Sequence, residues 1–173
     1  QEQRPTPTID RLGRDLTAEA RAGKAIKLYG RDKEVQTIIE VLCRQQKRNP
    51  LLIGPAGSGK TAIVEGFAAR VASGDVPDGL KGVRVLAVET SALVSGTGVV
   101  GAFEERVRQV LKEAAQPGVV LFLDEAHTIL EAGGRSGGLA DTLKPALARG
   151  EIALIAATTD DEYRRFIQSD RAL

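Results

Sequence analysis

The chain has very few of the side chains that form disulfides and zinc sites. It contains one cysteine, Cys43, one histidine, His127, and no methionine or tryptophan. A single cysteine cannot form an internal disulfide, which suits a reducing compartment, and we expect a cytoplasmic protein. No second histidine or cysteine accompanies His127, so the sequence predicts no zinc site there and a structural role for this histidine. Because methionine is missing even at position 1, we expect the chain to be a piece of a longer protein.

Strong net charge and long apolar runs are also absent. The 24 lysine and arginine residues nearly balance the 23 aspartate and glutamate residues, which leaves a net charge of +1. This balance gives no electrostatic reason to expect binding to nucleic acid or to an anionic membrane. The longest apolar runs are as long as a strand, so neither a membrane span nor a signal peptide is predicted. A length of 173 residues allows one α/β domain and is too short for two ordinary ones.

What the sequence does contain is a regular alternation of apolar runs and helical patterns. Buried strands are predicted at 51–53, 83–88, 119–123 and 152–157. Helices are predicted at 15–22, from Asp32 to before Asn49, at 62–68, at 103–114, across Leu139 to Leu147 with a break at Pro145, and at 161–167. The polar stretch from Gln1 to Thr8 is typical of a linker. Strands that alternate with helices predict an α/β fold, a parallel sheet between two helical layers.

The most specific motif follows the first predicted strand. It consists of Gly54, Pro55, Ala56, Gly57, Ser58, Gly59, Lys60 and Thr61, and Ala62 continues into the apolar helix behind it. These residues fit G-x-x-x-x-G-K-[ST], in which backbone N–H groups and a helix N-terminus converge on phosphate. Lys60 would then reach the β- and γ-phosphates, and the Thr61 hydroxyl would hold Mg²⁺. The motif therefore predicts binding of a nucleoside triphosphate.

An acidic pair follows another buried strand. Asp124 and Glu125 come directly after the apolar run 119–123. Ligands of open α/β sheets bind at the carboxyl ends of the strands, so both carboxylates should face the predicted phosphates. Asp124 would bind the Mg²⁺, usually through water, and Glu125 would orient and deprotonate an attacking water molecule. The pair thus extends the prediction from nucleotide binding to nucleotide hydrolysis.

Several longer phrases point to one family. They are GRD at 30–32, NP at 49–50, KTAIVEG at 60–66, GAFEER at 101–106, DEAHT at 124–128, LKPALARG at 143–150 and ATT at 157–159. Together they resemble the first ATPase module of the Clp-type AAA+ chaperones and protein unfoldases, and the resemblance covers almost the whole chain. It implies an ATPase that binds ATP or ADP with Mg²⁺.

The resemblance also implies a fold and a domain organisation. It predicts a three-layer P-loop NTPase of the AAA+ type with strand order 5-1-4-3-2, the fifth strand and the helical lid being missing from this chain. Residues 1–24 would form a linker and a short leading helix, and residues 25–173 the large ATPase subdomain. Without strand 5, the strand Leu51 to Ile53 would be an exposed edge. Because the arginine fingers are missing too, we expect the isolated chain to be mostly monomeric and to bind nucleotide better than it hydrolyses it.

Further roles follow only from the resemblance. Thr159 would be the polar sensor near the γ-phosphate, and Leu28 and Tyr29 would pack around the adenine. The implied partners are other copies of the protein in a hexameric ring, unfolded or aggregated protein substrates, and a protease or co-chaperone.

The chain departs from the family in its first pore loop. Where relatives place a tyrosine flanked by basic residues, this chain has Gly98, Val99 and Val100. A valine removes less apolar surface from water than a tyrosine, so we expect a weaker grip on polypeptide. Two other functions therefore stay open, a nucleotide-gated assembly or scaffold subunit and, with less support, a DNA-acting AAA+ motor.

Overall fold

The computed structural model describes residues 3–23, 31–43, 49–55, 59–94, 102–126 and 150–159. The helices are α1 (Pro7–Leu12), α2 (Leu16–Arg21), α3 (Asp32–Leu42), α4 (Lys60–Ser73), α5 (Thr90–Val94) and α6 (Ala102–Ala114), with a 3₁₀ turn at Asp78–Leu80. The strands are β1 (Arg14–Asp15), β2 (Leu51–Ile53), β3 (Arg84–Glu89), β4 (Val119–Asp124) and β5 (Ala153–Thr158).

The strands form one sheet in the order β1-β3-β4-β5-β2. Strands β2, β3, β4 and β5 run parallel to one another, whereas β1 pairs antiparallel with β3. The four parallel strands follow the 1-4-3-2 part of the predicted order. Each of them begins and ends no more than one residue from the predicted position. The predicted α/β fold with a mostly parallel sheet is therefore confirmed.

Alternate residues of β4 face two apolar clusters on opposite sides of the sheet. Leu121 and Leu123 pack with α6, and Val120 and Phe122 pack with α3 and α4. Phe122 is 1% exposed, and burial of such a side chain contributes about 1.5–3 kcal/mol. A strand that is apolar on both faces must lie inside the sheet. The last residue of β4, Asp124, therefore lies at the carboxyl edge of the sheet, between two neighbouring strands.

Strand β2 lies at the edge of the sheet, as the sequence predicts. Within the described residues, no strand pairs with its outer side. Ile53 is 41% exposed, which is large for a hydrophobic side chain in a strand.

The stretch predicted as a linker is instead ordered against the sheet, as far as residues 3–8 are described. Helix α1 begins at Pro7, inside that stretch, and Ile9 is buried. The Glu113 carboxylate of α6 accepts hydrogen bonds from the backbone N–H groups of Thr8 (3.1 Å) and Ile9 (3.0 Å). A carboxylate at this place satisfies N–H groups that the first turn of a helix leaves unpaired. The cap comes from a residue far along the chain, so local composition could not reveal it.

Residues 3–23, here called the leading segment, have further contacts with the rest of the chain. Gln116 accepts from the backbone N–H of Arg4 at 2.7 Å and donates to its carbonyl at 3.1 Å. Strand β1 pairs with β3 so closely that a Cβ on Gly13 would collide with the carbonyl oxygen of Ala87. The sequence did not predict β1, because two residues are too short to show a strand period.

Asp15 joins the leading segment to β3. Its carboxylate caps α2 by accepting from the Ala18 N–H at 3.0 Å, and it lies 3.5 Å from the Arg84 guanidinium. Burial by itself would raise the pKa of Asp15, but the Thr17 hydroxyl, the Ala18 N–H and Arg84 stabilise the charged form. Together they hold the pKa of Asp15 below its ordinary value.

The position of Cys43 beside the apolar face of a predicted helix favours a packed small hydrophobe, but Cys43 is exposed, so that prediction is wrong. It follows the last residue of α3, just past the buried stripe that ends at Leu42. The predicted helices across Leu139 to Leu147 and at 161–167 lie outside the described residues, as does His127. Among the described helices, none has both the length and the apolar character needed to cross a membrane.

Candidate nucleotide-binding site

The predicted phosphate-binding loop begins at the carboxyl end of β2. The Gly54 N–H donates to the carbonyl of Thr158 at 3.2 Å, which fastens the start of the loop to β5. The Lys60 ammonium donates to the carbonyls of Gly54 (2.6 Å) and Pro55 (3.0 Å). The lysine therefore lies over the beginning of its own loop. Ala56, Gly57 and Ser58 lie outside the described residues.

The loop ends at the N-terminus of α4. Gly59 has a φ of +89° and precedes the helix without a side-chain cap. This left-handed conformation favours glycine, because a Cβ would be strained there. The 14-residue helix α4 thus begins directly after Gly59, at the end of the loop whose first carbonyls accept from the Lys60 ammonium. Such an arrangement suits an anion with several negative charges, as a polyphosphate has. Ala62 follows in the first turn.

Thr61 and Asp124 come together from distant parts of the chain. The Thr61 hydroxyl donates to Oδ2 of Asp124 at 3.2 Å. Thr61 lies in the first turn of α4, and Asp124 is the last residue of β4. Hydroxyl and carboxylate oxygens are hard ligands of the type that Mg²⁺ prefers. The residues present therefore fit the predicted magnesium site.

Glu125 has an unusual backbone conformation. Its φ of +54° makes it the one non-glycine residue with positive φ in the described part of the chain. Its N–H donates to Oδ1 of Asp124 at 2.9 Å, and its side chain is exposed. The chain turns directly after β4, and this turn places the Glu125 side chain at the same edge of the sheet as Asp124.

Thr90 is a neighbour of the acidic pair that sequence reasoning missed. Its side chain is fully buried, and its hydroxyl lies 3.1 Å from the carbonyl of Asp124 and 2.8 Å from that of Glu125. The signal in the sequence was weak: a threonine directly after a strand, with no motif around it. Only the register of β3 with β4, which pairs Glu89 with Asp124, brings Thr90 next to the pair.

The remaining predicted site residues are less fully described. Thr159 comes directly after β5 and is partly buried, at the same edge of the sheet as Gly54 and Asp124. Leu28 and Tyr29, predicted to contact adenine, lie outside the described residues, as do Gly98, Val99 and Val100 of the predicted pore loop.

A cavity of about 270 Å³ lies between the leading segment and the Thr61–Asp124 pair. Its polar lining includes Arg14, Thr61, Glu89 and Asp124. Arg14 donates to Glu19 and lies 3.7 Å from Glu65 of α4. The hydrogen bond with Glu19 raises the pKa of Arg14, although partial burial opposes this. The leading segment therefore forms one wall beside the candidate magnesium ligands, which sequence reasoning also missed.

The family is shown by a match over most of the chain. The model of the ATPase family associated with various cellular activities (AAA) matches residues 50–171. This range includes the phosphate-binding loop, the acidic pair and Thr159. The chain therefore belongs to this family of ATPases, as its sequence motifs predict.

Curated relatives agree with the Clp-type resemblance. The chain is 51% identical over 171 residues to the ATP-dependent Clp protease ATP-binding subunit ClpC of Staphylococcus saprophyticus. It is 50% identical over 171 residues to the ClpC of Staphylococcus aureus strain USA300. Each match covers 97% of this chain and 21% of the relative. The chain thus spans about a fifth of the length of these relatives.

Solved structures show the same fold. A cryoEM structure of the closed state of Hsp104 with ATPγS and FITC casein matches with a TM-score of 0.85 and 42% identity, over 95% of this chain and 29% of that one. The Saccharomyces cerevisiae Hsp104–ADP complex matches with a TM-score of 0.84 and 42% identity, over 95% of this chain and 28% of that one. These matches confirm the predicted resemblance to a Clp-type AAA+ module.

Proposed function

We propose that the chain is the ATP-binding and hydrolysing module of a longer, ring-forming protein that unfolds, remodels or disaggregates other proteins. The observation that carries the proposal is the 3.2 Å contact between the Thr61 hydroxyl and the Asp124 carboxylate, beside Lys60 and directly before Glu125. The similarity to ClpC and Hsp104 supports the assignment to protein remodelling. A hexameric ring, a protease or co-chaperone partner and a cytoplasmic location belong to the same proposal.

Each side chain at this edge has a separate proposed role. Lys60 binds the β- and γ-phosphates, and Thr61 and Asp124 hold Mg²⁺, Asp124 through water. Bound magnesium would neutralise part of the phosphate charge during hydrolysis. Glu125 orients a water molecule and accepts its proton, and Thr159 senses the γ-phosphate or that water.

Nucleotide binding can be tested on the 173-residue chain by calorimetry with ADP and Mg²⁺. Lys60→Ala removes a charge-assisted contact worth about 3 kcal/mol, so the affinity should fall more than about a hundredfold. The matched control is Lys81→Ala, because Lys81 is an exposed lysine that pairs with Asp78 away from the site. Unchanged affinity in Lys60→Ala would refute the proposed phosphate site.

The assembly or scaffold alternative is favoured by one observation, the lack of an aromatic residue between Thr97 and Val100. Val99→Tyr in the full-length protein separates the two functions. An unfoldase should gain substrate crosslinking or unfolding rate with unchanged nucleotide affinity, because tyrosine offers more apolar surface. Val99→Asp should weaken substrate binding, because a charge is costly to desolvate. If neither change alters substrate handling, the assembly function is the better description.

A further inference from the structure

Thr90 contacts both peptide groups that flank Glu125. The first group contains the Asp124 carbonyl and the Glu125 N–H, and the second contains the Glu125 carbonyl and the Ala126 N–H. The Thr90 hydroxyl oxygen lies 3.1 Å from the first carbonyl and 2.8 Å from the second. A hydroxyl has a single proton to donate, so the two carbonyls share it.

Each of these peptide groups is also fastened on its N–H side. The Glu125 N–H donates to Oδ1 of Asp124 at 2.9 Å, and the Ala126 N–H donates to the carbonyl of Ala157 at 3.0 Å. The peptide after Glu125 is therefore held between Thr90, which follows β3, and Ala157 of β5. Both neighbours of β4 thus fix the orientation of this peptide.

The conformation that these contacts hold is strained. Glu125 has a φ of +54°, a left-handed conformation in which the Cβ crowds the backbone. Strained residues of this kind persist only where surrounding contacts hold them, and they occur often at functional sites. Without the Thr90 hydroxyl, two carbonyls next to a fully buried side chain would lose a donor. The turn would then have less to hold it in the left-handed region.

We propose that Thr90 is a positioning residue for ATP hydrolysis, which keeps the Glu125 carboxylate in place by clamping the two peptide groups around it. This inference rests on the proposed role of Glu125 as the base. Thr90 itself touches neither nucleotide nor water in this role. A threonine that merely satisfied its own hydroxyl in the core would affect stability alone, and the two roles differ in what a substitution does to turnover.

The test uses Thr90→Val in the full-length protein, because valine keeps the shape and removes the donor. At saturating ATP, turnover should fall about tenfold, which corresponds to about 1.4 kcal/mol in the barrier. Nucleotide affinity should stay within about twofold, since Lys60 and Thr61 are untouched. Thr90→Ser keeps a hydroxyl and should restore most of the turnover. Thr90→Ala removes the donor without adding bulk and should show the same loss as Thr90→Val.

Thr17→Val is the matched control. Thr17 is also fully buried, and its hydroxyl donates to Asp15 at 2.7 Å in the leading segment. This variant should lower the melting temperature and leave turnover per folded molecule unchanged. The inference is overturned if Thr90→Val and Thr90→Ala turn over ATP like the wild type, or if Thr17→Val loses as much turnover as they do. A wild-type protein without any ATP turnover would instead refute the proposed function.

Discussion

The leading segment and the carboxyl edge of the sheet, where Gly54, Asp124 and Thr159 follow their strands, are held by different kinds of contact. The leading segment is fastened by a strand pairing, a carboxylate cap on α1 and a capping aspartate on α2. The carboxyl edge carries the Lys60 ammonium bonded to the start of its own loop, a hydroxyl–carboxylate pair and one strained residue.

This difference separates residues that stabilise the module from residues that handle nucleotide. Contacts of the leading segment satisfy groups that folding would otherwise leave unpaired, so their loss should lower the free energy of unfolding. Polar groups at the carboxyl edge converge where a charged ligand would bind, so their loss should alter binding or turnover more than stability. Substitutions in the leading segment should therefore lower stability more than they alter binding or turnover, and substitutions at the carboxyl edge should do the reverse.

The largest effect is expected at Glu125. Glu125→Gln keeps the shape of the side chain but cannot accept the proton from water, so turnover in the full-length protein should fall about 10²–10⁴-fold. Nucleotide affinity and melting temperature should change little. A steady-state ATPase assay measures the effect, with the exposed Glu105→Gln on α6 as control. Turnover within about tenfold of the wild type would place the base elsewhere.

The next effect is expected at Gly13. Gly13→Ala places a Cβ against the carbonyl oxygen of Ala87, so β1 must move away from β3. Such overpacking costs about 1–3 kcal/mol in the free energy of unfolding. Chemical denaturation of the chain measures it, and Gly79→Ala, where a Cβ meets no atom within 4 Å, is the control. Equal stability of the two variants would contradict the close pairing of β1 with β3.

A smaller, pH-dependent effect is expected at Asp15. The pKa of Asp15 is lowered on folding, so its contribution to stability is complete above its unfolded pKa of about 3.9 and is lost as the pH falls through the folded value. Asp15→Asn should therefore cost about 0.5–1 kcal/mol near neutral pH and less at lower pH. Denaturation at pH 7 and pH 3 checks this. The control is Asp78→Asn, which removes the carboxylate of an exposed ion pair with Lys81. A cost that stayed constant or grew toward pH 3 would contradict the assignment.

Sequence patterns predicted the carboxyl edge better than the leading segment. A strand apolar on both faces, such as β4, can only be central, and a phosphate-loop motif requires a strand before it and a helix behind it. Those requirements are local, so the sequence displays them. The cap that Glu113 places on α1 joins residues about a hundred positions apart, and no periodicity indicates it. Thr90 was missed for the same reason, since only the strand register brings it to Glu125.

The most direct test of the account is the magnesium dependence of nucleotide binding by the 173-residue chain. Calorimetry with ADP, with and without Mg²⁺, would compare the wild type with Asp124→Asn and with Glu89→Gln. Glu89 is the residue of β3 that pairs with Asp124 of β4, so Glu89→Gln is the matched control. The account predicts tighter binding with Mg²⁺ in the wild type and in Glu89→Gln. In Asp124→Asn this gain should be lost, with the magnesium-free affinity unchanged. An undiminished gain in Asp124→Asn would contradict the account.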